Sequence, residues 1–204
     1  KVNQWKKFLG YNFMPQLEYY LDKDYSGIDY TKNKFERAEY ERCKFVNCNF
    51  SKCKAIESVF INCEFINCSL AACNISGSVF RDVIFTKCTL TDIQFNECNK
   101  LLLSFKFADS NLSRSSFFNM SLRNTEFNKC EMIEVDFGKA DLMSSSFDEC
   151  DLSNAIFENT NLSKCDFRKA INYSIDPEAN KISKAKFSVI GLSGLLTKYD
   201  IEIE

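Results

Sequence analysis

The 204-residue sequence contains no histidine, only two prolines and a single tryptophan. Without histidine, the chain lacks the side chain that most often transfers protons near neutral pH and a common zinc ligand. It also lacks a GxxxxGK[ST] phosphate loop and a GxSxG nucleophile turn. Paired acids such as Glu131 and Glu134 show no sign of a shared pocket. The sequence therefore disfavours an enzyme, and we expect no cofactor and no metal site.

Features of membrane and secreted proteins are also missing. No apolar run approaches the roughly 20 residues that a transmembrane helix needs, and no signal peptide is evident at the start. We therefore expect a cytoplasmic protein that has no membrane partner. Hydrophobic residues make up 45% of the sequence and the net charge is only −2, so the chain can bury a core as one domain.

The dominant feature of the sequence is a five-residue repeat, as in CKFVNCNFSKC at residues 43–53. A helix advances by about 500° over five residues and a flat strand changes sides, so neither keeps this spacing on one face. If these positions all face inward, the chain must bend once per repeat, which indicates a repeat architecture. The large apolar residues at this spacing are Tyr30, Phe35, Tyr40, Phe45, Phe50, Phe60, Phe65, Leu70, Ile75, Phe80, Phe85, Leu90 and Phe95, then, after a two-residue slip, Phe107, Leu112, Phe117, Leu122, Phe127, Met132, Phe137, Leu142, Phe147, Leu152, Phe157, Leu162 and Phe167.

A small residue stands two positions before most of these large ones, for example Cys43, Ser58, Ala140 and Thr160. Residues two apart in an extended chain point to the same side. Most repeats therefore offer one small and one large side chain to the interior. The other three positions are mostly polar and suit solvated turns.

The runs CDFRKA, ADLMSSSF and TNLSKCDF resemble the pentapeptide-repeat family, and the resemblance covers roughly residues 28–170. It implies an all-β fold, a right-handed quadrilateral parallel β-helix in which four repeats form one square coil. About seven such coils would stack as a solenoid, closed by a short helical C-terminal cap. The Phe/Leu alternation after Phe107 would then place Phe opposite Phe and Leu opposite Leu, keeping the core volume constant.

The repeat predicts three parts: an N-terminal cap at 1–28, a solenoid at 29–169 with a phase slip at 99–106, and a C-terminal cap at 170–204 that also serves for dimerisation. Open solenoid ends need caps. In the first part, Trp5, Phe8 and Leu9 have helical spacing; a partly ordered tail is the alternative.

At the slip, Leu101, Leu102 and Leu103 fit either a protruding loop or a bulge that refills the core. The two alternatives differ in whether these leucines face solvent or the interior.

Eleven cysteines follow the repeat, and no CxxC pair occurs. Cysteines twenty residues apart, such as Cys48 and Cys68, should stack in successive coils at about 4.8 Å. Because a disulfide needs Cβ atoms about 3.8 Å apart, we interpret the cysteines as small buried hydrophobic residues in a reducing compartment.

The C-terminal segment SVIGLSGLLTKY places apolar residues at helical spacing, with Ser188 as a candidate N-cap and two weakening glycines, Gly191 and Gly194. Two isoleucines then alternate with glutamates as in a half-buried strand. This ending resembles the quinolone-resistance (Qnr-like) members, whose rods join end to end, and implies a homodimer; a monomeric cap is the alternative. The candidate dimer contacts are Leu192, Leu195, Leu196, Tyr199, Ile201 and Ile203.

Charge is distributed unevenly along the chain. Residues 126–158 contain nine acidic residues but only Lys129 and Lys139 as basic ones, although the pI of the whole chain is about 5.5. A rigid acidic rod can occupy a basic groove built for DNA. The candidate acidic interaction surface comprises Glu126, Glu131, Glu134, Asp136, Asp141, Asp148, Glu149, Asp151 and Glu158.

Two functions remain open at this point. The first is a non-enzymatic, rigid protein-interaction rod whose partner is not identified. The second, implied by the Qnr-like resemblance, is a bacterial DNA mimic that binds a type II topoisomerase, DNA gyrase or topoisomerase IV, and protects it against quinolones. In both cases we expect a protein partner and no direct binding of nucleic acid.

Overall fold

The computed structural model describes residues 17–202, which form a parallel β-solenoid. Four strands, β1, β3, β5 and β7, pair in that order as sheet 1, and the other seven pair in chain order as sheet 2. No helix in this range is long and apolar enough to span a membrane. The strands are β1 Glu18–Leu21, β2 Asp24–Ser26, β3 Ala38–Glu41, β4 Lys44–Val46, β5 Val59–Ile61, β6 Glu64–Ile66, β7 Val79–Arg81, β8 Val83–Thr86, β9 Phe105–Ala108, β10 Glu126–Asn128 and β11 Ser146–Asp148.

Each coil has four sides, and most coils take twenty residues. Sheet 1 forms the early coils of side 1, where Tyr20 pairs with Tyr40. Sheet 2 forms side 2, where Phe45 pairs with Phe65. Isolated bridges continue the ladder on the other sides: Asp29 to Ile171 on side 3, and Lys54 to Ile156 on side 4. The structure thus confirms the predicted parallel β-helix built from four-sided coils.

The large residue of each repeat points inward and stacks on its equivalent in the next coil. On side 2, nine rings form one continuous column from Tyr25 to Phe187, with neighbouring centroids 4.8–5.5 Å apart. Phe127 on side 2 meets Phe137 on side 4 edge to face at 6.0 Å. The predicted pairing of Phe opposite Phe after Phe107 is therefore correct, and these stacked rings fill the core.

The small residue of each repeat has a second function besides fitting the available space. In many repeats its thiol or hydroxyl donates to the carbonyl of the large residue in the preceding coil, as from Cys63 Sγ to Tyr40 O at 3.3 Å and from Thr160 Oγ1 to Phe137 O at 2.9 Å. Cys, Ser and Thr are small and carry a donor, so they satisfy a buried carbonyl without adding bulk.

The corners of the coil are residues in the left-handed region. Arg42, Asn47, Lys52 and Glu57, each two positions after an inward residue, have φ of 50–57°. Such residues are uncommon outside glycine. Here the backbone N–H at the corner stays bonded to the next coil, as in Lys52 N to Ala71 O at 2.9 Å. The ladder therefore supports a conformation that the side chains disfavour locally.

The phase slip adds two residues to one coil, so Phe85 pairs with Phe107 across 22 residues. Lys100 occupies the inward position of its repeat but is exposed, and the ring of Phe105 fills the space, 5.5 Å from Phe80 and 5.4 Å from Phe95. The slip is a corner bulge that refills the core through Phe105. Of the three leucines, Leu101 and Leu102 are exposed and Leu103 packs against the core.

The coiled part of the chain extends past both predicted boundaries. At the N-terminal side, β1 pairs with β3 and β2 with β4, so the ladder begins before the predicted start at residue 29. At the C-terminal side, Lys181 and Lys186 still bridge the preceding coil, and Phe187 stacks on Phe167. The helical spacing of Trp5, Phe8 and Leu9 lies outside the described residues.

Candidate interaction surface

The nine carboxylates of residues 126–158 are distributed over all four sides of the solenoid. Asp141 lies on side 1, and Glu126, Asp148 and Glu149 lie on or beside side 2. Glu131 and Asp151 are ladder neighbours on side 3, and Glu134 occupies the corner that follows. Asp136 and Glu158 belong to side 4. These nine residues therefore do not form one continuous stripe.

The carboxylates on sides 1 and 2 are paired with cations. Glu126 binds Lys106 at 3.2 Å, Asp148 binds Lys169 at 3.0 Å, and Arg123 Nε donates to Asp141. These three cations come from outside residues 126–158, from coils above and below. The sequence window therefore overstates the acidity of these two sides, because the fold supplies counter-charges that are distant in sequence.

The carboxylates on sides 3 and 4 have neutral partners instead. Asn111 Nδ2 donates to Glu131 at 2.7 Å, Asn172 Nδ2 donates to Asp151 at 3.0 Å, and the Gly138 N–H donates to Asp136 at 2.8 Å. Within residues 17–202, no ion pair reaches any of the five acids on these sides. We call these five the side 3–4 acidic surface: Glu131, Glu134, Asp136, Asp151 and Glu158.

Asp151 shows how this surface keeps its charge. Partial burial opposes ionisation of its carboxyl group, but hydrogen bonds from Ser153 and Asn172 outweigh that effect and lower its pKa. Ser153 donates through both its backbone N–H and its hydroxyl, at 3.0 and 2.6 Å. Hydrogen bonds to the charged form stabilise it, so Asp151 stays ionised at neutral pH without a cation.

The C-terminal end of the rod is covered by two 3₁₀ helices, Ile190–Leu195 and Thr197–Tyr199. The predicted short helical cap is therefore present, in the form of 3₁₀ turns, and Ser188 Oγ accepts from the Gly191 N–H at 3.1 Å. The two glycines are needed for contact with Tyr173. A Cβ on Gly191 would lie 2.1 Å from the Tyr173 hydroxyl, and one on Gly194 would lie 2.3 Å from its carbonyl oxygen.

An ionic cluster fixes the end of this cap. Lys198 Nζ binds Asp176 at 2.8 Å and Glu178 at 2.6 Å, and Tyr199 donates to Glu178 at 3.3 Å. The hydrogen bond from the Lys198 ammonium lowers the pKa of both carboxyl groups. These contacts tie the second 3₁₀ helix back to the last coil.

The predicted dimer contacts differ in their exposure. Leu192, Tyr199 and Ile201 are exposed, whereas Leu195 packs against the core and Leu196 is half-buried. Ile201 is not in a strand, contrary to the alternation seen in the sequence, and Ile203 lies outside the described residues.

The most exposed apolar residues of this end were missed. Val189 is 86% and Ile190 93% exposed. Two adjacent apolar residues directly after Ser188 were visible in the sequence. They were missed because they do not lie on the helical face that the spacing of the leucines suggested.

All eleven cysteines are buried free thiols, in agreement with the packing interpretation. Burial raises the pKa of Cys63 and of Cys165 to about 12. No group of three or more metal-ligating residues is found in the part of the chain that the structure describes.

Comparison with known proteins agrees with this geometry. Residues 33–117 match a family model for a pentapeptide repeat region, and residues 110–148 and 145–171 match one for pentapeptide repeats. No curated protein matches the sequence significantly.

Among solved structures, two of trypsin-treated QnrB1, a plasmid-mediated fluoroquinolone resistance protein, are similar. One has a TM-score of 0.60 at 18% identity and covers 91% of this chain and 100% of that one. The other has a TM-score of 0.59 at 18% identity, covering 93% and 100%. At this identity the likeness shows a shared fold. Together with the two family models, it shows that the chain belongs to the pentapeptide-repeat family.

Proposed function

We propose that the protein is a rigid, non-enzymatic interaction rod that binds a protein partner through the side 3–4 acidic surface. One observation carries this proposal: the acids on sides 1 and 2 form ion pairs within the rod, whereas those on sides 3 and 4 form none among residues 17–202. Carboxylates that form no ion pair within the described rod can attract a basic partner and raise its association rate.

The stacked core holds the outer surface of the rod rigid, so this surface can bind a partner without rearranging. The column of nine rings on side 2 and the ladder of bridges on side 3 hold outward residues at regular spacing. A preorganised surface loses little conformational entropy when it binds. A partner that recognises Glu131 and Asp151 would therefore meet them already positioned.

The proposal is tested with two variants that carry the same change in charge. Glu131→Gln with Asp151→Asn removes two acids from side 3, and the control, Glu126→Gln with Asp148→Asn, removes two from side 2. A photocrosslinker at exposed Asn154 would capture the partner from a cell extract. We expect one dominant crosslinked protein with wild type and control and a loss with the side 3 variant. Equal capture by all three would contradict the assignment of this surface.

A type II topoisomerase is the second candidate for the partner. The observation that favours it is an acidic surface that forms no ion pair among the described residues, on a rod whose fold matches that of a fluoroquinolone resistance protein. A basic groove that binds DNA through its phosphates would accept such a surface.

DNA supercoiling by gyrase, with and without a fluoroquinolone, tests this candidate. We expect wild type and the side 2 control to inhibit supercoiling or to relieve the drug, and the side 3 variant to be weaker. If none of the three affects gyrase or topoisomerase IV, this candidate is wrong while the interaction rod remains testable by crosslinking.

We further propose that two rods join end to end at the C-terminal cap. Exposed Val189 and Ile190, beside Leu192, form an apolar surface of the kind that a symmetric partner covers. Ile190→Asp should yield a monomer in sedimentation without disturbing the packing of Tyr173. Ile84→Asp, an exposed position on side 2, is the control. A wild-type protein that is monomeric at tens of micromolar would contradict the dimer.

A further inference from the structure

The surface formed by sides 3 and 4 carries opposite charges at two levels of the rod. In an early coil, Lys52 and Lys54 are exposed, and within residues 17–202 neither forms an ion pair. In a later coil, Glu134 and Asp136, two members of the side 3–4 acidic surface, also form none among the described residues. One surface therefore offers two cations and two carboxylates that the described part of the rod does not neutralise.

The two lysines and the two acids occupy equivalent positions in their coils. Lys52 and Glu134 are corner residues after side 3, with φ of 57° and 58°, and Lys54 and Asp136 lie in the ladder of side 4. Corner N–H groups bond from each coil to the next, which places Glu134 four coils after Lys52. Asp136 lies four coils after Lys54 in the same way. Both separations are therefore equal, about 19 Å at the usual strand spacing.

The coils between these two levels carry no net charge on this surface. At the corner, Arg114 donates two hydrogen bonds to Asp92, at 2.8 and 2.9 Å, so these two charges cancel. On side 4, the outward residues of the intervening coils are Asn74, Gln94 and Ser116. The surface is therefore positive, neutral and negative in turn along the rod. Such a pattern is complementary to itself when one copy is turned by 180°.

We propose that two copies of the chain associate side by side and antiparallel through the corner between sides 3 and 4. With the two-fold axis at the coil of Gln94, Lys52 of each copy meets Glu134 of the other, and Lys54 meets Asp136. One register satisfies all four ion pairs because both separations are four coils. The contact uses the same surface on both copies, so it closes at two copies.

This association should be weak and sensitive to salt. Exposed ion pairs each contribute little to binding, and salt at 0.1 M screens exposed charges beyond about 10 Å. The end-to-end contact proposed at the cap is apolar and should respond to salt differently. Side-by-side association covers Glu134 and Asp136. The separate rod is therefore the form that offers the whole side 3–4 acidic surface to another protein.

Exchange of charges tests the contact in the full-length chain, with Ile190→Asp in every protein to remove association through the cap. Lys52→Glu with Lys54→Glu makes both levels acidic, and Glu134→Lys with Asp136→Lys makes both basic. In sedimentation at about 20 mM salt the parent should dimerise, and its association constant should fall at least about tenfold at about 200 mM. Each double variant should be monomeric. The variant with all four changes should dimerise again, because its two levels have exchanged sign.

The matched control carries the same change in charge on the opposite edge of the rod. Lys164→Glu with Lys184→Glu alters two exposed corner residues after side 1, with φ of 62° and 60°. The control should dimerise like the parent. Glu and Lys already occupy such corners at Glu149 and Lys129, so all the variants should keep the solenoid. Far-ultraviolet circular dichroism checks this.

Three results would overturn the proposal. The first is a parent protein that shows no salt-dependent dimer at tens of micromolar. The second is an equal loss of association in the control and in Lys52→Glu with Lys54→Glu. The third is a folded variant with all four changes that stays monomeric. The interaction rod would survive each of them, because its own test is the loss of crosslinking in Glu131→Gln with Asp151→Asn.

Discussion

The coils before and after the slip fill the same interior with different side chains. In one coil before it, aromatic rings occupy all four sides: Phe35, Tyr40, Phe45 and Phe50 follow one another, each meeting the next at 5.4–5.6 Å. The next coils keep rings on sides 1 and 2, while Ala55, Leu70 and Ile75 occupy positions on sides 3 and 4. After it, rings occupy only sides 2 and 4, and aliphatic residues such as Leu142 fill the others. Both kinds of coil keep the twenty-residue register.

This difference shows that the ladder, rather than a particular set of core residues, sets the size of the coil. The outward residues change the local structure instead. On side 1, the early coils have Tyr19, Val59 and Val79 in the outward row and form sheet 1. The later coils have Ser121 and Asp141 in that row and form isolated bridges. Aromatic and β-branched residues favour extended strands, and Asp and Ser do not.

Thiol reactivity tests whether both sets of coils are equally closed, and it should show the largest effect. Burial raises the pKa of Cys63 before the slip and of Cys165 after it from about 9 to about 12. The thiolate fraction at neutral pH should therefore fall about a thousandfold. Thiol titration should detect few groups in the native protein and about eleven in denaturant. Rapid native labelling of the three cysteines after the slip would show that those coils open.

Core truncation distinguishes the ring-lined coils from the mixed ones. Phe45→Ala and Phe127→Ala should each cost about 3–5 kcal/mol by opening a cavity. We expect the loss at Phe45 to be the larger, because its neighbours Tyr40 and Phe50 are rigid rings, whereas Leu122 and Met132 beside Phe127 can shift into the space. Urea denaturation measures both. An unchanged midpoint for Phe127→Ala would mean that this side of the repeat does not face the interior.

The junction between the two sets of coils depends on Phe105. Phe105→Ala removes the ring that replaces the outward-facing Lys100, so it should cost about 3–5 kcal/mol. It should also separate unfolding into two steps, because each coil contacts only its neighbours. Leu102→Ala, at an exposed position, should change stability by less than about 0.5 kcal/mol. If the two variants behave alike, Phe105 does not couple the coils.

The C-terminal cap should respond to a single methyl group. Gly194→Ala places a Cβ 2.3 Å from the Tyr173 carbonyl oxygen, and overpacking of this kind costs about 1–3 kcal/mol. Limited proteolysis should cut the cap faster while the rest of the rod stays resistant. Ser193→Ala, exposed in the same 3₁₀ helix, is the control. Equal proteolysis of both variants would refute the close contact with Tyr173.

The smallest effect concerns an ion pair that joins the two sets of coils. Arg114 donates two hydrogen bonds to Asp92, at 2.8 and 2.9 Å, which lowers the pKa of Asp92. The stabilisation is therefore complete above the unfolded pKa near 3.9 and is lost as the pH falls through the lower folded value. At an exposed site it should be less than about 1 kcal/mol. Urea midpoints of wild type and Asp92→Asn should differ at pH 6 and converge at low pH.

The fold was predictable from sequence because each five-residue repeat specifies by itself which of its residues face the interior. Phe147 and Cys150 are buried, as their positions in the repeat predicted. The Phe/Leu alternation also correctly predicted which rings face each other. The ends were less predictable. Tyr25 and Phe187 extend the column of rings beyond the recognised repeats, because stacking on a neighbouring coil compensates for a poor local match.

The sequence by itself determined the period, the inward residues and hence the parallel coil, because five-residue spacing admits no other regular packing. Only the tertiary structure decided which acids are neutralised. Glu126 and Glu131 look alike in sequence, yet Glu126 lies in the ladder beside Lys106, whereas Glu131 lies beside Asn111. The physical reason is that stacking brings together residues about twenty positions apart, so the charge of a surface depends on neighbours in other coils rather than on neighbours in the chain.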